Sequence, residues 1–132
     1  MATKAYRPTQ AELGILRVLW EAGPKSVREI QRVLNETRPT GYTTVLKLAQ
    51  IMLEKGLVER DESRRPQIYR ARYSQERTQR QLVKDLAQRA FGGSVQKLLV
   101  RALEDGEMSD DELREVRRLI DRARKTRRGG AS

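Results

Sequence analysis

One helix-start pattern occurs three times in this chain of 132 residues and most strongly constrains its fold. In TQAE, SVRE and SDDE, a Ser or Thr is followed three positions later by Glu, next to regularly spaced apolar residues. Such a pair forms a capping box, in which each side chain accepts a hydrogen bond from the other residue's backbone N–H. We therefore predict helices that begin beside Thr9, Ser26 and Ser109.

The first half of the chain predicts three helices and then a β-hairpin. The helices are expected from Thr9 to about Glu21, from Ser26 to Asn35, and from about Thr40 to Lys55, with Gly56 as the last stop signal. Beyond Gly56, LVER and QIYRA are typical of short strands, joined by a loop around DESRRP. This order of elements is that of a winged helix-turn-helix.

The second half, from Ser74, predicts three more helices and no strand. Gly92-Gly93 and Gly106 separate them. The predicted fold is therefore mainly α with a small β-hairpin: a winged helix-turn-helix plus a helical dimerisation region. We assign residues 1–73 to the winged-helix DNA-binding domain, 74–126 to the helical dimerisation region and 127–132 to a disordered basic tail.

The dimerisation assignment follows from the size of the helical half. About 59 residues in three helices form a small core at best, so their apolar stripes are expected to pack against a second copy. A compact three-helix subdomain that folds alone is the alternative. The residues predicted to form the dimer contact are Leu98, Leu99, Leu103, Leu113, Val116, Leu119 and Ile120.

Charge and composition narrow the function. The chain carries 28 Lys and Arg against 18 Asp and Glu, a net charge of +10, which indicates an anionic partner. It contains no histidine and no cysteine, which removes thiol nucleophiles, His-dependent triads and the commonest metal ligands. We predict a protein that is not an enzyme and has neither cofactor nor metal, because Asp110, Asp111 and Glu112 are explained by a helix N-terminus.

No apolar run approaches the roughly 20 residues that span a bilayer, and the first residues lack the apolar core of a signal peptide. The sequence therefore predicts a cytoplasmic protein without membrane insertion.

The third helix has one apolar face and one polar face. Leu48, Met52, Val45 and Ala49 share the first at about 100° per residue. Such a polar face can enter the major groove of DNA, where Lys bonds guanine, Gln bonds adenine, and Thr contacts base edges or the thymine methyl group. An ordinary solvated face is the alternative. The candidate base-reading residues are Thr43, Thr44, Lys47 and Gln50.

The hairpin is basic after its tip, since no acidic residue occurs between Ser63 and Tyr73. Arg64, Arg65 and Arg70 are candidate contacts to DNA phosphates, which supply salt-dependent affinity without sequence information. Tyr42, at the helix start, either donates its hydroxyl to a phosphate or packs. The aromatic residues Trp20, Tyr69 and Phe91 are expected to pack in the core rather than to stack on bases.

The segment TGYTTVLKLAQIMLEKGLVERDE, followed by RRPQIYRA, resembles the BlaI/MecI/CopY family of bacterial repressors, the penicillinase repressors. The resemblance extends over PTQAELGILRVLWE, SVREIQRVLNE and RAFGGSVQKLLVRALEDGEMSDDELREV, which is almost the whole chain. It implies a homodimer with winged-helix domains and a helical dimerisation region, bound to a palindromic operator as a transcriptional repressor. The matching DNA-reading positions are Thr43, Thr44, Leu46 and Lys47.

Three features depart from the family pattern. Leu46 stands where the penicillinase members have a basic residue. In that branch a membrane sensor-protease, a partner implied by the resemblance, triggers cleavage at an Asn-Phe pair, whereas Arg101 and Ala102 stand at those positions here. The copper-responsive branch uses C-terminal cysteines, which this chain lacks. The alternative function is a winged-helix adaptor that binds proteins without sequence-specific DNA binding.

Overall fold

A computed structural model describes residues 7–130, and within them the chain forms six helices and one two-stranded sheet. This order confirms the predicted winged helix-turn-helix with further helices. None of the helices in the described part combines the length and apolarity needed to cross a membrane. The elements are α1 (Gln10–Ala22), α2 (Val27–Leu34), α3 (Tyr42–Lys55), β1 (Val58–Asp61), β2 (Ile68–Ala71), α4 (Gln75–Ala90), α5 (Val95–Glu104) and α6 (Asp110–Gly130).

All three predicted capping boxes are present. At α1 the Thr9 N–H donates to Glu12 at 2.8 Å and the Glu12 N–H donates to the Thr9 hydroxyl at 3.2 Å. The same reciprocal bonds start α2 and α6. Helix α3 begins later than predicted, after Gly41, because Thr40 belongs to the preceding turn: its N–H donates to the Asn35 side chain at 2.6 Å.

The core of the winged helix lies between α1, α2, α3 and the start of β1. On α3 the buried residues are Val45, Ala49 and Met52. Leu48 is only partly buried and lies at the edge of this face. Tyr69 is buried, and Trp20 packs against the core while its indole N–H donates to the Tyr73 carbonyl at 3.0 Å, so core packing is confirmed for both.

The hairpin is antiparallel, with Val58 opposite Ala71 and Asp61 opposite Ile68. A third segment joins it, because Lys25 exchanges two backbone hydrogen bonds with Tyr69, at 3.0 and 2.8 Å. The connection between α1 and α2 is thereby tied to β2. The hairpin is consequently fixed to the helical part of the unit near its middle, where Tyr69 pairs with Arg60.

The chain divides into two compact units between Asp85 and Leu86, later than the predicted boundary after Tyr73. Two bonds join this part of the chain to the first unit: Trp20 donates to the carbonyl of Tyr73, just before α4, and Arg7 donates to Asp85, within α4, at 3.0 Å.

The predicted disordered tail is wrong for residues 127–130, since α6 continues to Gly130. Arg and Lys are good helix formers, and the basic residues of the last turn favour the negative end of the helix dipole. Residues 131 and 132 of that prediction lie outside the described residues.

In the second unit, α5 contains no buried residue, and among residues 110–129 of α6 only Val116 is partly buried. Large apolar side chains such as Leu99, Leu119 and Ile120 remain about half exposed, at 49%, 48% and 50%. The single chain therefore leaves the apolar stripes of this unit largely uncovered.

Candidate nucleic-acid interface

The N-terminal half of α3 presents a polar surface. Thr43, Thr44, Lys47 and Gln50 are all exposed on it, opposite the buried row of Val45, Ala49 and Met52. Leu46 adjoins this surface but is partly buried and packs against the core. The structure therefore brings the four predicted base-reading residues together on one helix face.

An ion pair anchors the opposite end of α3. Lys55, in its last turn, donates to both carboxylate oxygens of Glu12, at 2.8 and 3.1 Å. Glu12 is only 2% exposed, and the same carboxylate accepts the Thr9 N–H. The capping box of α1 thus also holds α3 against α1.

The three predicted wing arginines are exposed but differ in their partners. Arg65 donates to the carbonyl oxygens of Glu62 at 2.8 Å and Arg64 at 3.2 Å. Arg70 donates to Glu59 across the hairpin at 3.0 Å, which locally balances its charge. The Arg64 side chain has no hydrogen bond or ion pair within residues 7–130. Arg64 is therefore the wing arginine most available to an anion.

Two other charged residues stabilise the wing. Hydrogen bonds from Arg60 to Tyr69 and Glu62 raise the pKa of its guanidinium. Asp61 accepts from the Ser63 hydroxyl at 2.6 Å and from the Ser63 N–H at 3.0 Å, which lowers the pKa of Asp61. Both groups organise the hairpin tip from which Arg64 projects.

A basic residue that the sequence analysis did not single out lies beside the start of α3. The Arg28 guanidinium is 4.6 Å from the centre of the Tyr42 ring, a cation–π contact. Both residues line a cleft of about 230 Å³ that also includes Pro66 and Gln67, in the loop that joins β1 to β2. The sequence could have drawn attention to Arg28, because it lies in the first turn of α2, where the helix dipole disfavours a cation.

The predicted dimer residues lie in the second unit. Leu98 and Val116 are partly buried, and the other five are exposed, between 39% and 50%. Arg101 and Ala102, at the positions of the family's cleavage pair, are exposed on α5, where Arg101 pairs with Glu104. No cluster of three or more metal-ligating side chains occurs within residues 7–130.

The family model of the penicillinase repressors matches residues 8–122, from the start of α1 into α6. The chain belongs to the penicillinase repressor family. Its members are DNA-binding transcriptional repressors, a class of regulators and not of enzymes. No curated protein shows significant similarity to the chain.

Proposed function

We propose that two copies of this chain bind a palindromic operator, with α3 of each copy in the major groove of one half-site. The observation that carries the proposal is the clustering of four polar side chains on the exposed face of α3, opposite its buried row. A major groove about 12 Å wide admits one helix, and a two-fold symmetric dimer matches a two-fold symmetric site.

Lys47 and Gln50 provide the side chains with the clearest base preferences. Lys bonds the O6 and N7 atoms of guanine, and Gln bonds the N6 and N7 atoms of adenine. Thr43 and Thr44 lie in the first turn of α3, where recognition helices contact bases. Leu46 packs against the core, so we assign the polar base contacts to its neighbours.

Contacts to the phosphates would surround this face. The cleft between Tyr42, Arg28 and Gln67 is open to an anion, and the Tyr42 ring holds the Arg28 guanidinium in place. On the hairpin, the exposed side chains of Arg64 and Arg65 are further candidates for phosphate contacts. Arg70 is a weaker candidate because Glu59 balances its charge. These contacts position the protein without specifying a sequence.

The dimer is supported by the apolar surface of the second unit. Scattered apolar residues on a surface are normal, but continuous apolar stripes on two successive helices indicate an interaction site. On α5 the exposed residues include Leu99 and Leu103, and on α6 they include Leu113, Leu119 and Ile120. A second copy of the same unit would cover both stripes.

Selection of bound genomic fragments at about 0.15 M salt, a physiological ionic strength, tests this function. We expect fragments that share two inverted half-sites separated by about one helical turn, or 10–10.5 base pairs from centre to centre. A single half-site would contradict the dimeric arrangement. The absence of any salt-dependent DNA binding would favour the alternative of a protein-binding adaptor.

A further inference from the structure

Helix α6 carries an apolar seam that is largely exposed within residues 7–130. Leu113, Val116, Ile120 and Ala123 follow one another at steps of three, four and three residues. This spacing places them along one side of the helix, as in coiled coils. Leu113 and Ile120 are 39% and 50% exposed.

Charge is strongly separated along the same helix. Residues 110–116 contain four acidic residues and one basic residue, a net charge of −3. Residues 117–130 contain seven basic residues and one acidic residue, a net charge of +6. The helix therefore has an acidic end and a basic end, with the apolar seam running between them.

The helix dipole explains only part of this separation, because its effect falls off within the first and last turns. Arg117, Arg122 and Arg124 all lie before the last turn of α6. Ion pairs within the helix explain little more: Arg114 pairs with Asp111 and Arg118 with Glu115, both at 2.9 Å. None of the basic residues from Arg122 to Arg128 has an acidic partner in the described part of the chain.

We propose that α6 packs antiparallel against α6 of a second copy, so that the acidic end of each helix lies beside the basic end of the other. The proposal rests on the dimer put forward above. An antiparallel pair places opposite charges side by side, whereas a parallel pair places −3 beside −3 and +6 beside +6. Like charges facing each other across an interface are unfavourable.

The seam fixes the alignment of the two helices. With the two-fold axis near Arg118, Leu113 faces Ala123 of the second copy, and Val116 faces Ile120 of the second copy. Asp110 then lies close to Arg124 of the second copy, on the flank of the seam. The apolar residues and the charges favour the same alignment.

Two other partners would fit the apolar seam and the charges of α6 less well. Helix α5 of a second copy has an apolar stripe, but its two basic residues and one acidic residue show no complementary separation of charge. Duplex DNA would bind the basic end and be repelled by the acidic end, and it would leave the apolar seam uncovered.

Cysteine cross-linking in the full chain tests the orientation, because the protein has no cysteine of its own. The test variant carries Asp110→Cys together with Arg124→Cys, and each substitution is also made alone. Within one helix these positions are about 21 Å apart, so a short bis-maleimide cannot join them. In an antiparallel pair the two Asp110 positions are offset by about 24 Å and the two Arg124 positions by about 18 Å.

We expect the double variant, and an equal mixture of the two single variants, to form covalent dimers. Each single variant alone should form at least ten times less. Leu119→Cys lies next to the axis and should cross-link to itself, which reports α6 pairing independently of direction. Far-UV circular dichroism equal to that of the unmodified chain verifies that each variant is folded.

The outcomes separate this proposal from the proposed dimer. Efficient cross-linking of Asp110→Cys alone would show a parallel pair and overturn the antiparallel arrangement. A dimer in sedimentation velocity without cross-linking of either the double variant or Leu119→Cys would overturn the pairing of α6 while leaving the dimer intact. A monomer in sedimentation velocity at micromolar concentration would overturn both the dimer and its α6 contact.

Discussion

Arg64→Ala is expected to reduce the salt dependence of operator binding. The Arg64 side chain is exposed at the wing tip and makes no hydrogen bond or ion pair within residues 7–130, so its removal costs only a long-range attraction to Asp61. Each phosphate contact contributes about 0.9 to the slope of log K against log salt concentration. A dimer has two wings, so the slope should become less steep by about 1.8.

This change in slope corresponds to a measurable change in affinity. Between 50 and 200 mM salt, one phosphate contact accounts for about a 3.5-fold loss of affinity, and two contacts for about 12-fold. Over this range of salt concentration, the fold-loss of affinity of the variant should therefore be about 12 times smaller than that of the unmodified protein. Fluorescence anisotropy with the selected operator and with a random duplex measures it, and both duplexes should respond alike because phosphates carry no sequence information.

Arg80→Ala is the matched control, since it removes the same charge from an exposed position on α4. Its slope should stay close to that of the unmodified protein. An unchanged slope for Arg64→Ala would show that the wing tip does not contact phosphate. An equal fall in both variants would show that net charge, and not the wing, sets the salt dependence.

Three further changes test other parts of the structure. Lys47→Ala should weaken operator binding by about 1–3 kcal/mol and affect random DNA less; equal losses on both duplexes would remove Lys47 from base recognition. Lys55→Met should lower the free energy of unfolding by about 1–3 kcal/mol in urea, because Glu12 stays buried without its cation, and Glu12→Gln in the same chain should recover part of the loss. Hydrogen bonds from the Ser26 N–H and hydroxyl hold the pKa of Glu29 below its ordinary 4.5, so its stabilising effect is present above that pH and is lost as the pH falls through the lowered pKa. Glu29→Gln should therefore cost stability at pH 7 but progressively less in acid, and a constant difference would refute the role of the charge.

Local patterns explain why the helix starts were predictable. A capping box needs only two residues three positions apart, and all three boxes form. The burial of Val45, Ala49 and Met52 likewise follows from the period of one helix. Helix α3 deviates at its start because a tertiary feature intervenes, the bond between the Thr40 N–H and Asn35.

Contacts between residues far apart in the sequence were not predictable in this way. The pairs Lys55–Glu12 and Arg28–Tyr42 each join different helices, and no periodicity within one helix reveals them. The extension of the first unit to Asp85 is a further example. The Asp85 carboxylate accepts a hydrogen bond from Arg7, which lies 78 residues earlier in the sequence. The exposed polar face of α3 was thus readable from the sequence, whereas the contacts that hold α3 in place required the structure.

In the proposed dimer, the folding of the first unit does not depend on a second copy, whereas the burial of the second unit does. The first unit has its own core, with Ile30, Val45 and Met52 all fully buried, so each winged helix is folded before it meets DNA or a partner. The second unit leaves its apolar stripes exposed and, in the proposed dimer, gains most of its burial on association. Dilution should therefore separate the copies before it unfolds the winged helices. A separated copy engages one half-site without the effective concentration that a linked second domain supplies, so operator occupancy should fall more steeply with dilution than a one-step binding curve.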